Sequence, residues 1–224
     1  MSTGNIIIKN AGIKGKKMME NQYYPFVNTP LPYDYSALEP FIDEKTMHLH
    51  HDKHLQTYIN KLNEVLEKNA WLQSYSLEEL LYNLNQIPIR VSEPIRNNAG
   101  GVYNHRFFFE GMSDKKNNIP EGYLKKEMDA AFGSFEKFQK LFKEAALNVF
   151  GSGYVWMVKS GRGLSVVPTK NQDTPVELGL FPVLALDVWE HAYYLKNYND
   201  RAAYIDNWFF VVDWKKVEEK LMGM

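Results

Sequence analysis

No cysteine occurs among the 224 residues. That removes disulfides, thiolate metal sites and cysteine nucleophiles together, and leaves histidine and carboxylate as the strong ligands. A chain without disulfides suits the cytosol. An excess of charge is missing as well: 26 basic residues face 27 acidic ones, for a formal net charge of −1. No overall field draws such a chain to nucleic acid or an acidic membrane. No apolar run approaches the roughly 18 residues of a membrane span. Near the start the longest is Ile6-Ile7-Ile8, short of the about 7–15 residues of a secretory signal. A cytoplasmic protein with neither nucleic acid nor membrane as partner is expected.

What is present suffices for a folded core, since 45% of the residues are apolar. Residues 1–29, with Lys9, Lys14, Lys16 and Lys17, read as a flexible basic extension. Met18 or Met19 offers an alternative start. If the extension were instead a docking arm into a larger assembly, Tyr23, Tyr24 and Phe26 would be its contacts.

From residue 30 the chain divides into a helical half, 30–112, and an α+β half, 118–224. The polar stretch 111–121, with Asn117, Asn118 and Pro120, separates them. A long helix is expected from an N-cap at Asp43 to about Lys68. On it His50, His54 and Tyr58 stand four apart, a polar ridge beside Met47, Leu62 and Val65. His48 and His51 read as peripheral. Residues 71–86 form a shorter amphipathic segment with Leu80, Leu81 and Leu84 inward, and Pro88 and Pro94 break the chain beyond it. Gly100-Gly101 reads locally as a turn, although in a helix it would admit another element at close range. His105, ahead of Phe107, Phe108 and Phe109, is expected to be buried.

In the second half, 124–132 and 135–150 have helical spacing, with Gly133-Ser134 as stop and cap. Residues 154–158 and 164–167 then read as a hairpin about Gly161-Arg162-Gly163. The apolar run 181–186 is short enough for a buried strand, the third of a small antiparallel sheet, and two helices close the chain near 198–206 and 214–222. The fold class is α then α+β.

The stretch from Asp187 to Tyr194 comes directly after that third strand. On one helical turn the side chains of Asp187 and His191 would converge within about 5–6 Å, on a metal ion or on each other, with Asp187 as a cap and His191 as a packed histidine. With His50 and His105 they make three imidazoles and one carboxylate drawn from both halves. That donor set suits first-row metals such as manganese, iron or zinc.

Longer blocks carry a resemblance: Leu31-Pro32-Tyr33 with Ala37-Leu38-Glu39-Pro40, Thr46-Met47 through His54, Asn97 through His105, Gly151-Ser152-Gly153, Asn171-Gln172-Asp173, and Asp187 through Tyr194. Over residues 31–214 the chain resembles the iron/manganese superoxide dismutases. The resemblance implies a metal held between the halves by His50, His105, Asp187 and His191. It also implies disproportionation of two superoxide ions to dioxygen and hydrogen peroxide. Tyr58 and His54 would supply protons through water, and Gln172 would hydrogen-bond solvent at the metal. Glycine at 101, with the glutamine arriving later at Gln172, is the manganese-type arrangement, so manganese is expected and iron is the alternative. A homodimer is implied, with Glu190 and Tyr194 reaching His191 and His54 of a partner, and whether two such dimers pair into a tetramer is left open. Trp189, Trp156, Tyr154, Phe109 and Gly101 would surround the centre, and Lys53 with Arg201 would steer the anionic substrate.

The chain departs from the family's frequent pattern at Leu55, where many members have a second histidine, and at Phe109 and Tyr154, where tryptophan is common. Asp200 stands where some bacterial members are basic, which predicts weak steering. Two other classes stay open at this point. A hydrolase could use the same donors to activate water on zinc, and a structural protein could keep the fold without the chemistry.

Overall fold

The computed structural model describes residues 21–115 and 119–223. Most of the expected extension, with its four lysines and both alternative starts, therefore lies outside the described residues. Its last part is not a free tail. Phe26 is buried, its N–H donates to Asn63 Oδ1 at 2.9 Å and its carbonyl accepts from Asn63 Nδ2 at 2.8 Å. The Arg106 guanidinium donates to the carbonyls of Asn21 (2.9 Å) and Val27 (2.8 Å). An aromatic ring and a run of carbonyls find partners on the chain itself, so the segment expected to be mobile packs down.

The first rod is helical throughout but not uniformly α. It comprises α1 (Glu44–Leu49), a π-helical segment (His50–Leu55) and α2 (Gln56–Glu67). Asp43 caps it as expected, its carboxylate accepting from Thr46 N–H at 2.9 Å. The wider π turn lets the ligand-bearing stretch and the core-facing stretch of α2, with Ile59, Leu62 and Leu66 buried, each take its own phase. Next comes α3 (Leu77–Tyr82), with a capping box between Ser76 and Glu79 and with Leu77, Leu80 and Leu81 buried; Leu84 is buried in the short 3-10 turn after it.

The second rod, α4 (Ile89–Glu110), corrects two expectations. Pro94 lies inside it and does not break it, because the carbonyl that its missing N–H frees belongs to exposed Arg90, where water can reach. Gly100-Gly101 is helix and not turn. From Ala99 to Phe109 every residue of α4 is buried, so the rod is wrapped on all sides.

In the second half α5 (Gly122–Phe132) ends at Gly133, whose φ of 87° suits glycine, and Ser134 caps α6 (Phe135–Asn148). A three-stranded antiparallel sheet comes next, with β1 (Gly153–Ser160), β2 (Gly163–Lys170) and β3 (Phe181–Asp187) in the order β2-β1-β3. Tyr154 on β1 is registered opposite Asp187, the last residue of β3. The chain closes with α7 (Tyr194–Asn197), α8 (Arg201–Phe209) and α9 (Trp214–Met222). The first of the two expected terminal helices starts at Arg201, because Tyr198 has a φ of 49° and Asp200 caps from outside the helix. Between α6 and α8, Phe142 and Trp208 stack at 5.6 Å. The fold is a helical hairpin joined to an α+β half with a small antiparallel sheet.

Candidate metal centre

Four donor atoms meet where the halves touch. His50 comes from the π segment and His105 from α4. Asp187 ends β3, and His191 sits in a 3-10 turn (Glu190–Ala192). Their ligand atoms all lie within 4.8 Å of one another. His50 Nε2 is 3.2 Å and His191 Nε2 is 3.5 Å from Asp187 Oδ2. The spacing of four between Asp187 and His191 does not act through an α-turn as expected. The strand runs out at Asp187, Trp189 stays extended, and the tight turn swings His191 back over the carboxylate.

The local bonding aims these atoms inward. His105 Nδ1 is 2.7 Å from the Gly101 carbonyl one turn earlier, which makes Nδ1 the donor and leaves Nε2 as a bare acceptor. Asp187 Oδ1 accepts from Trp189 N–H at 2.8 Å, leaving Oδ2 over. The Tyr204 hydroxyl donates to the Asp187 carbonyl at 2.9 Å and anchors that backbone. Nε2 of His50, His105 and His191 and Oδ2 of Asp187 are all buried without a hydrogen-bond partner. Four orphaned polar atoms facing one point would carry a heavy desolvation cost unless a cation joined them. The residues therefore fit a metal ion, and three imidazoles with one carboxylate suit manganese or iron.

Protonation agrees with that fit. Burial pushes the His50 imidazole down to about 4, against the opposing pull of Asp187, and burial also holds His105 well below its usual range, with His50 adding to the effect. Both stay neutral and able to coordinate. Burial would raise the Asp187 carboxyl, but His191 and His50 outweigh it and keep the group ionised.

Around the four donors lies a second layer. Gln172 Nε2 donates to the Tyr58 hydroxyl at 3.1 Å. Asn104 Nδ2 donates to both the backbone carbonyl and the Oε1 of Gln172, at 3.2 and 3.1 Å. The two glycines make this packing feasible: a Cβ on Gly101 would lie 2.4 Å from the Tyr58 ring, and one on Gly100 would lie 2.1 Å from the Gln172 carbonyl oxygen. Burial raises the Tyr58 phenol against the opposing bond from Gln172, and burial lowers His54. The His54 ring stacks on His191 at 4.1 Å. The Tyr154 hydroxyl is 3.4 Å from His105 Nδ1, and the Phe109 ring stands 4.9 Å from that of His50. Trp189 stacks on His191 at 5.4 Å and donates through its indole to the Asn171 carbonyl. Trp156 lies one layer back, against Tyr154 and bonded to Thr169 Oγ1 at 2.9 Å.

Other expected residues sit at the surface. Glu190 is exposed, Tyr194 is 48% exposed and Lys53 is exposed. Arg201 is committed: its guanidinium donates to the carbonyls of Val149 (2.7 Å) and Gly151 (2.9 Å) and to the Tyr193 hydroxyl (3.2 Å). His48 is exposed as expected, but His51 is not peripheral. It is buried, with Nε2 3.0 Å from the Thr29 carbonyl and Nδ1 2.7 Å from Asp52 Oδ1 and 3.0 Å from the Tyr35 hydroxyl. It continues the buried face of α1, four residues after buried Met47. Asn104 is a site residue that the sequence reading misses. Its signal is its place one turn after Gly100, on the same helical face.

Fold and site together define a metalloprotein with one buried centre of three histidines and an aspartate, set between a helical hairpin and an α+β half. Residues 25–113 match the alpha-hairpin domain of the iron/manganese superoxide dismutases, and residues 120–220 match their C-terminal domain. The chain belongs to that family. It is 48% identical over 194 residues to manganese superoxide dismutase 1 of Leptolyngbya boryana, covering 85% of this chain and 78% of the relative. It is 46% identical over 192 residues to manganese superoxide dismutase 2 of Bacillus anthracis, covering 86% and 92%. Among the described residues no helix is long and apolar enough to cross a membrane.

Proposed function

We propose that the chain disproportionates superoxide, 2 O2•− + 2 H+ → O2 + H2O2, at a manganese ion held by His50, His105, Asp187 and His191. The observation that carries this reading is the set of four buried, unpartnered donor atoms within 4.8 Å of one another, in a chain of this family. Held by these four residues, manganese would supply the one-electron exchange that the reaction needs, which zinc cannot do.

The chain's residues do the rest. Neutral His50 and His105 with anionic Asp187 offset only one charge of the ion, so an anionic substrate still meets a positive centre. Burial keeps the proton on Tyr58. Its oxygen accepts from Gln172, so its own O–H remains available to a molecule in the site. Tyr58 and His54 are thus suited to deliver the two protons that peroxide needs, through water. Gly101 and Gln172 support manganese over iron, as do the manganese names of the relatives. We further propose a homodimer through the face that carries exposed Glu190 and Tyr194 beside half-buried His54.

Elemental analysis of purified protein, paired with a superoxide assay on the same sample, tests the reaction and the metal. Activity proportional to manganese content is expected. Activity proportional to iron overturns the metal assignment, and a zinc-loaded, inactive protein overturns the reaction. For the dimer, light scattering should give twice the 26.1 kDa chain mass, falling toward one chain for Tyr194→Ala; a wild-type monomer would refute it.

A further inference from the structure

The loop that sends Gln172 into the site turns its next residues the other way, into a cavity of about 390 Å3 whose walls include Arg96, Asp173, Thr174 and Glu177. Arg96 Nη2 is 3.2 Å from Glu177 Oε2, and Nη1 is 3.8 Å from Asp173 Oδ1. The other Glu177 oxygen accepts from the backbone N–H of Thr174 at 3.1 Å, two residues past Gln172. One carboxylate therefore joins the loop backbone to a cation on α4. The Glu177 side chain is only 11% exposed, so its charge requires a partner.

Arg96, Gly100 and Asn104 are four apart and share one face of α4. Each holds a different part of the same loop. Asn104 bonds Gln172 itself, Gly100 admits the Gln172 carbonyl at a distance that a Cβ would forbid, and Arg96 grips the residues beyond it. The upstream end is fixed separately, by the Asn171 N–H on the Ser152 carbonyl at 2.9 Å and the Trp189 indole on the Asn171 carbonyl at 3.1 Å.

We infer that Arg96 is a positioning residue for the reaction: by clamping Glu177 and Asp173 to α4, it fixes the downstream end of the loop and so keeps the Gln172 amide on Tyr58. The inference rests on the reading of Tyr58 and Gln172 given above. Its test reads the clamp without the reaction. In metal-free protein labelled with 15N-glutamine, the Gln172 side-chain amide resonance is assigned by its loss in Gln172→Ala. It should shift and broaden in Arg96→Met and in the near-isosteric Glu177→Gln, and should return close to its wild-type position in Arg96→Lys. In loaded enzyme, Arg96→Met should lower turnover by about threefold to tenfold, the scale of remote coupling, and should have no further effect in the Gln172→Ala background. An unmoved amide resonance in both variants, or the same loss of turnover in both backgrounds, overturns the inference. Should wild-type protein show no dismutation, the functional reading fails while the amide still reports on the clamp.

Discussion

At the residue scale the centre depends as much on missing atoms as on present ones. The Tyr58 ring fills the space where a Gly101 side chain would stand, and the ring is held in a wall of packed elements that give little. We predict that Gly101→Ala displaces the phenol, costs about 1–3 kcal/mol of stability by overpacking and lowers turnover at least about tenfold. Denaturant melts and the superoxide assay check both, and a fully active Gly101→Ala enzyme would mean the ring moves aside freely. The donors are legible in the sequence through the long blocks that carry the family resemblance, since each of them taken alone also reads as a cap or a packed core histidine. Asn104 is not, since an asparagine in a helix looks the same whether it faces water or a glutamine. His51 escapes the sequence for a related cause: a histidine four residues after buried Met47 looks the same whether it faces in or out, and the helix changes phase directly after it.

That change belongs to the scale of elements. The π segment His50–Leu55 amounts to one extra residue in the first rod. Removing exposed Lys53 should let the rod run as a regular α-helix, take out the wider turn that seats His50 and draw its imidazole out of line with the other three donors. Helical content by circular dichroism should persist while metal binding collapses; a deletion variant that still binds one ion per chain would show that the turn is dispensable. The elements most legible in the sequence are those with a single period and clean ends. These are the apolar run of β3, the hairpin of β1 and β2, and α5 and α6 divided at Gly133-Ser134. The second rod is poorly legible because Pro94 and Gly100-Gly101 obey local rules for breaks and turns. Burial on every side of α4 from Ala99 to Phe109 overrides those rules, and nothing local encodes that burial.

At the scale of the whole molecule an ion held as proposed would act as a fastening between halves, since the helical half supplies His50 and His105 and the α+β half supplies Asp187 and His191. Chelation should lower the melting midpoint by about 5–10 °C, as expected when roughly 3 kcal/mol of ligand stabilisation is withdrawn from a chain of this size. An unchanged midpoint would mean that the ion sits elsewhere. The charge distribution sets the approach of substrate: the net charge is −1, Asp200 caps α8, and Arg201 is engaged with carbonyls. Turnover should vary little with ionic strength, and a steep fall with added salt would reveal a steering field that this arrangement lacks.

The division of donors between the halves also sets when the ion can be captured. During synthesis His50 and His105 leave the ribosome well before Asp187 and His191, and until the last of these emerges a nascent chain offers two imidazoles, which hold no metal firmly and discriminate poorly among metals. Coordination is thus a late event, completed only as the C-terminal half folds onto the first.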